Sequence, residues 1–143
     1  MSLTFDGTVL VPVADPEDGE QTARSLAPYL SPSSTVLVVN VIEKAGGAPD
    51  KASVEQREEY AQEIFERTRG PLEGRAGTVE TAILFGTDVV ETIFEAALER
   101  DVDAVVFEPR KGSRFVELLT GDTARRLVKE ASVPVVALPR NDG

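Results

Sequence analysis

Apolar and polar positions along this chain follow two alternating periods. Thr8-Val9-Leu10-Val11-Pro12-Val13 is a short β-branched run stopped by Ala14-Asp15-Pro16, the pattern of a buried strand that ends in a loop. Pro12 has no N–H to give to a ladder, so it suits the end of that strand or a bulge. Ala23, Leu26, Ala27 and Leu30 then fall on one helical face. Pro28 removes the bond to the Arg24 carbonyl, which predicts that this helix kinks or stops early. Val36 to Ile42 is apolar apart from Asn40, as expected of a central parallel strand covered on both faces.

After a Gly-, Pro- and charge-rich loop from Lys44 to Ala52, Ser53-x-x-Gln56 reads as the capping box of a helix running to about Arg69. Val54, Ala61, Ile64, Phe65 and Thr68 would share its inner face. Gly70-Pro71 and Gly74 to Gly77 break the pattern, and Thr78 to Phe85 alternates as a third strand. Gly86-Thr87 turns the chain. Asp88-x-x-Glu91 caps a helix with Val90, Ile93, Phe94, Ala97 and Leu98 inward, ending at Arg100-Asp101, and Ala104 to Phe107 is a fourth strand. Gly121-Asp122 opens the last helix, with Asp122 as N-cap. Ala124, Leu127, Val128 and Ala131 are expected inward, and Arg125, Arg126 and Lys129 outward. Val133 to Leu138 is the fifth strand, and Pro134 favours an edge position. Five strands alternating with four helices predict an α/β fold: one Rossmann-like domain over residues 4–140, with an open five-stranded parallel sheet and helices on both faces.

Composition narrows the chemistry. The chain of 143 residues has a hydrophobic fraction of 41%, enough for one sizeable core. No apolar run approaches the roughly 20 residues needed to span a bilayer, and no basic segment precedes an apolar one at the N-terminus, so a cytoplasmic protein without membrane insertion is expected. The absence of Cys, His and Trp excludes thiol nucleophiles, imidazole bases and the usual soft-metal ligands. The 25 Asp and Glu are dispersed at helix-surface spacing, so no metal site is expected. A net charge of −10 argues against nucleic-acid binding. One stretch departs from this acidity: Pro109 to Lys129 holds Arg110, Lys111, Arg114, Arg125, Arg126 and Lys129 against Glu117 and Asp122.

Other α/β chemistries lack their residues. A receiver domain needs an acidic pair after strand one, a phosphorylatable Asp after strand three and a Lys after strand five. Phe85-Gly86 and Pro139-Arg140 do not supply them. Asp15-Pro16-Glu17-Asp18 would repel the phosphate of a flavin nucleotide, and no GxGxxG follows a strand.

From Thr8 to Leu138 the order of elements and several strings resemble the universal stress protein family. The strings are Val9-Leu10-Val11-Pro12-Val13, Val38-Val39-Asn40-Val41-Ile42, and Gly86 with Ile93 before Asp103-Ala104-Val105-Val106. Most specific is Leu118-Leu119-Thr120-Gly121-Asp122-Thr123-Ala124-Arg125-Arg126-Leu127-Val128 followed by Val133-Pro134-Val135-Val136. The resemblance implies an open sheet of the adenine nucleotide alpha hydrolase-like kind, dimerisation often through the last strand, and in one subgroup ATP at the C-terminal edge of the strands. Those ATP binders carry Gly, two residues, Gly, nine residues, then Gly followed by Ser or Thr. The glycines let backbone amides close on phosphates, and the hydroxyl sits at a helix N-terminus.

Matched by register, Glu108 stands at the first glycine, Lys111 at the second, Gly121 at the third and Asp122 at the hydroxyl. ATP binders also place an Asp after Val-Pro-Val, where this chain has Ala14, with Asp15 one residue late. Val41 matches a position whose main chain reads adenine in the family. The candidate ligand-binding set is therefore Ala14, Asp15, Val41, Arg110, Lys111, Gly112, Arg114, Gly121, Asp122 and Thr123, and the candidate homodimer contact is Val133, Val135 and Val136 on the last strand. Asp122 reads either as a plain N-cap or as a carboxylate that selects against triphosphates. Arg110, Lys111 and Arg114 read either as a solvated loop or as a charged replacement for the amide cradle, taking a smaller anion or another nucleotide's phosphate.

The first functional expectation is a non-enzymatic stress-response module that acts on a regulatory protein partner and does not bind ATP in the family's usual way. A second is a nucleotide-binding protein with a remodelled basic loop, for which ATP or another adenine nucleotide is the candidate cofactor and slow hydrolysis the most activity expected. A third is a cytoplasmic regulatory domain of a membrane transporter.

Overall fold

The structure is a computed structural model that describes residues 3–44, 51–109 and 121–139. Its elements run β1 (Thr8–Pro12), α1 (Pro16–Leu26), a 3-10 turn (Ala27–Tyr29), β2 (Thr35–Glu43), α2 (Lys51–Leu72), β3 (Thr78–Gly86), α3 (Val89–Glu99), β4 (Ala104–Phe107), α4 (Gly121–Lys129) and β5 (Val135–Ala137). The sheet order is β3-β2-β1-β4-β5 and every pairing is parallel. The expected five-stranded α/β architecture is therefore present. β1 lies at the centre, with Val9 in register with Val36 on one side and Ala104 on the other.

Alternation along the central strands divides the core in two. Leu10, Leu37, Val39, Val105 and Phe107 pack with Val90, Ile93, Phe94 and Ala97 of α3 and Leu127 of α4. Val9, Val11, Val13, Val36, Val38, Ala104 and Val106 pack on the other face with Ala23 and Leu26 of α1 and Ala61, Ile64, Phe65 and Leu72 of α2. Both faces of β1, β2 and β4 are thus covered, which is why these runs lack a polar side. β3, paired on one side only, is half-buried to exposed throughout and contains no fully buried residue.

Gly7, Gly19, Gly77 and Gly86 each stand where a Cβ would meet a neighbouring atom at 2.0 Å or less, and two of these approaches seat helices. A Cβ on Gly19 would lie 2.0 Å from Thr68 Oγ1, where α1 crosses α2, and a Cβ on Gly86 would lie 1.9 Å from Thr92 Oγ1. The second contact seats α3 against the end of β3.

Several expectations are corrected. The first helix stops at Leu26 and tightens into the 3-10 turn that holds Pro28, as its proline predicts. Ser53 is not a cap, because α2 is already helical at Lys51, and Gly70-Pro71 does not end it. Fully buried Leu72 continues the inner face, and the chain turns at Gly74, whose φ is +85°. Leu98 and Val128 are each 60% exposed and Ala131 is exposed, so the inward faces of α3 and α4 are narrower than their apolar patterns. Asp122 lies within α4, in its first turn, rather than capping it. β5 is three residues, shorter than the apolar run that contains it.

Leu127 and Val128 separate the two sides of α4. Leu127→Ala should cost about 2–5 kcal/mol, as for a buried leucine, and Val128→Ala under about 0.5 kcal/mol. Urea denaturation followed by circular dichroism checks this, and equal losses would mean that α4 is turned differently.

Candidate functional site

The site begins where β1 leaves the sheet. The Val13 N–H donates to the Val39 carbonyl at 2.9 Å, the last backbone bond from β1 to β2. The Val13 carbonyl accepts instead from Asn40 Nδ2, also at 2.9 Å. Ala14 then turns away: its N–H donates to Asp18 Oδ2 at 2.9 Å, while the Asp18 N–H donates to Asp15 Oδ1 at 2.7 Å. Asp15 is thus the N-cap of α1, Pro16 follows in the first turn, and Asp18 is fully buried with the Thr22 hydroxyl on its other oxygen. This exchange resembles a capping box with aspartates at both ends, except that the return bond goes to the Ala14 N–H, one residue before the cap.

Beyond that departure a cleft of about 250 Å³ opens at the C-terminal ends of β1 and β2, lined by Ala14, Asn40, Val41, Glu43, Thr87, Asp88, Val89, Val90, Thr123 and Arg126. Asp88 holds its far wall. As N-cap of α3 it accepts from the Glu91 N–H at 3.1 Å, and its backbone carbonyl accepts from the Thr92 hydroxyl at 2.6 Å. Arg126 reaches across from α4, with Nη2 at 3.0 Å from Asp88 Oδ2 and Nε at 2.7 Å from Glu130 Oε2. The expected outward direction of Arg126 is therefore corrected: it is half-buried and shared between two carboxylates. The Glu91 N–H, and after it Arg126, hold the Asp88 carboxyl below its ordinary 3.8. The Arg126 hydrogen bond lowers Glu130 in the same sense, and Glu130 and Asp88 together push Arg126 up.

Ala14, Val41 and Thr123 of the expected set meet in this cleft. Asp15 does not line it. Committed to its cap, it borders a second groove with Pro16, Glu17, Tyr60, Glu63 and Arg67. Gly121 opens α4, and Asp122 is exposed and pairs with Arg125 at 3.3 Å. Arg110, Lys111, Gly112 and Arg114 lie outside the described residues. Val135 and Val136 lie on the edge strand β5, half-buried against opposite core faces, with Val133 packed just before it. Among the described residues no cluster of three His, Cys, Asp or Glu could hold a metal, and no helix is long and apolar enough to cross a membrane.

Glu108, which matches the family's first glycine, is 3% exposed and accepts a hydrogen bond from the Ser25 hydroxyl of α1. The alternation of β4 explains this: Ala104 and Val106 face α1 and α2, and Glu108 continues their side. Asn40, Glu43, Asp88 and Arg126 were not among the residues expected here. Asn40 carried a signal, being the one polar residue in an apolar strand, whereas the Asp88–Arg126 contact joins residues 38 apart and leaves no local trace.

Asp88→Ala should cost on the order of 1 kcal/mol for the cap, with at most about 0.5 kcal/mol more for the solvent-screened pair with Arg126. A carboxyl whose folded pKa is depressed stabilises fully above its ordinary value and loses that contribution as pH falls below it. The stability gap between parent and variant in urea should therefore be smaller at about pH 3 than at about pH 7. A constant gap would contradict the assignment.

A family model described as the universal stress protein family matches residues 7–139. The structure of a universal stress protein from Archaeoglobus fulgidus is 22% identical with a TM-score of 0.63, over 97% of this chain and 100% of that one. The universal stress protein of that organism in complex with dAMP is 21% identical, TM-score 0.62, over 96% and 98%. A universal stress protein in complex with cAMP is 16% identical, TM-score 0.63, over 98% and 100%. At these identities the likeness is one of fold. A stretch of 61 residues is also 38% identical to the DNA-directed RNA polymerase subunit beta′ of Weissella hellenica; it is 41% of this chain and spans 6% of that subunit, a share that brings no polymerase activity with it. With the family model covering nearly all of its length and the same parallel sheet, the chain belongs to the universal stress protein family.

Proposed function

We propose that this chain is a non-catalytic regulatory domain that takes an adenine nucleoside or mononucleotide in the cleft beyond β1 and β2, and does not hold ATP in a glycine cradle. The observation that carries this reading is Glu108. A phosphate cradle needs backbone amides free of side chains at close approach. Here that position bears a buried carboxylate tied to Ser25 on the opposite face of the sheet.

Charge and size support the same reading. Glu43 and Asp88 line the cleft, and its described cation, Arg126, is already shared between Asp88 and Glu130. A triphosphate would meet these carboxylates and Asp122 with little uncommitted positive charge on the described wall. The cleft's volume of about 250 Å³ falls just below the roughly 300–1,000 Å³ usual for drug-sized ligands, room for a small planar group. The place is where ligands bind in open parallel sheets, outside the carboxyl ends of the strands. The relatives solved with dAMP and with cAMP hold ligands of one phosphate each.

Titration calorimetry with adenosine, AMP and magnesium-ATP tests this. Adenosine or AMP should bind roughly tenfold or more tightly than ATP, about 1.4 kcal/mol. Magnesium-dependent ATP binding tighter than either would overturn it.

A further inference from the structure

We propose that the groove between the start of α1 and the middle of α2 docks an arginine side chain carried on a basic segment of a partner protein. The groove lies on the side of the sheet that α1 and α2 cover, and of its lining residues only Ala14 also lines the cleft. It measures about 530 Å³, about twice the cleft. Its two walls are held by the helix crossing, where Gly19 lies so close to Thr68 that no side chain fits between them. Asp15, Pro16 and Glu17 form one wall. Tyr60, Glu63 and Arg67, at i, i+3 and i+7 along α2, form the other.

Charge and an aromatic face together select a guanidinium. Asp15, Glu17 and Glu63 bring three carboxylates to the groove, whereas Arg67 is spent on Glu20 through Nε at 3.4 Å and Nη2 at 3.3 Å. Among the described residues no salt bridge reaches Asp15, Glu17 or Glu63. Tyr60 is 46% exposed, and burial, followed by the charges of Asp15 and Glu63, holds its phenol above the usual 10.0. Both carboxylates therefore act on this ring. Among the described residues the cation over an aromatic face is Lys44, 5.7 Å from the centroid of Phe85, which leaves Tyr60 without one. Arginine suits this place better than lysine, since a planar guanidinium stacks on a ring while its edge donates to carboxylates in pairs. Glu17, Tyr60, Glu63 and Arg67 are all exposed, so the groove is a trough. Free small ligands are usually buried over roughly 70–90% of their surface. A trough instead suits a side chain whose main chain lies along the rim. The net charge of −10 draws a basic partner and disfavours a second copy of this chain.

Nitrogen–proton correlation spectra of the labelled full chain, titrated with the peptide acetyl-Gly-Arg-Gly-Arg-Gly-amide, test the proposal. The amides of Glu17, Tyr60, Glu63 and Arg67 should shift and saturate together, while those of Thr87 and Thr123 in the cleft stay in place. The same peptide with citrulline for arginine keeps the shape and removes the charge, and it should bind about tenfold more weakly. Glu63→Gln should weaken the arginine peptide about threefold and Tyr60→Leu about fivefold, whereas Tyr60→Phe keeps the ring and the affinity. Equal binding of the citrulline peptide, undiminished binding by both Glu63→Gln and Tyr60→Leu, or unsaturable shifts scattered over the acidic surface overturns the proposal. Agmatine binding as tightly as the peptide would make the groove a site for a free small cation and overturn it too. The same shifts on concentrating the protein alone would put a second copy there, with the same consequence. None of these outcomes bears on adenosine in the cleft.

Discussion

The ladder between β1 and β2 ends at the bond from the Val13 N–H to the Val39 carbonyl, and beyond it the two strands diverge. β2 runs on to Glu43 against β3, while the chain of β1 is drawn off by its helix cap. Asp18 takes the Ala14 N–H and Asp15 takes the Asp18 N–H, so the turn is set by carboxylates within six residues of the strand end at Pro12. The cleft is the space this divergence leaves. Its far wall has a similar origin, since the Asp88 cap starts α3 just after Gly86 brings β3 close to Thr92.

Carboxylates do most of the local work at this end of the molecule, and that shapes what it can accept. Asp15 and Asp88 cap helices, Glu108 is buried against Ser25, and Glu130 and Asp88 share Arg126. Each of these side chains is held by a structural partner. The described wall consequently offers backbone groups, hydroxyls, a neutralised guanidinium and the Glu43 carboxylate, a surface better suited to the edge of an uncharged ring than to a chain of phosphates.

Much of the fold was legible because its strands are short apolar runs whose helices bury one stripe each. Val9 to Val13 and Val36 to Ile42 could hardly be anything but covered parallel strands, and Pro28 and Asp88 correctly marked the end of α1 and the start of α3. The inner face of α4 was legible only in part. Over nine residues a helical pattern accommodates both Leu127 and Val128, and contact with the sheet decides between them. The site was harder still. Matching to the family placed Glu108 at a ligand loop, although the two-residue period of Ala104 and Val106 already pointed its side chain to the other face. The Asp88–Arg126 contact depends on how α3 and α4 sit together, which no local string encodes. The capping box at Ser53 had the right residues inside a helix that had already begun.

The account centres on the cleft beyond β1 and β2 as the place where a ligand is read. Nitrogen–proton correlation spectra of the labelled protein, titrated with adenosine, test this most directly. The amides of Val41, Ala14, Thr87 and Thr123, which line the cleft from four different parts of the chain, should move together and saturate together. Shifts confined to the groove around Asp15 and Tyr60, or no saturable shift at any of the four, would contradict the account.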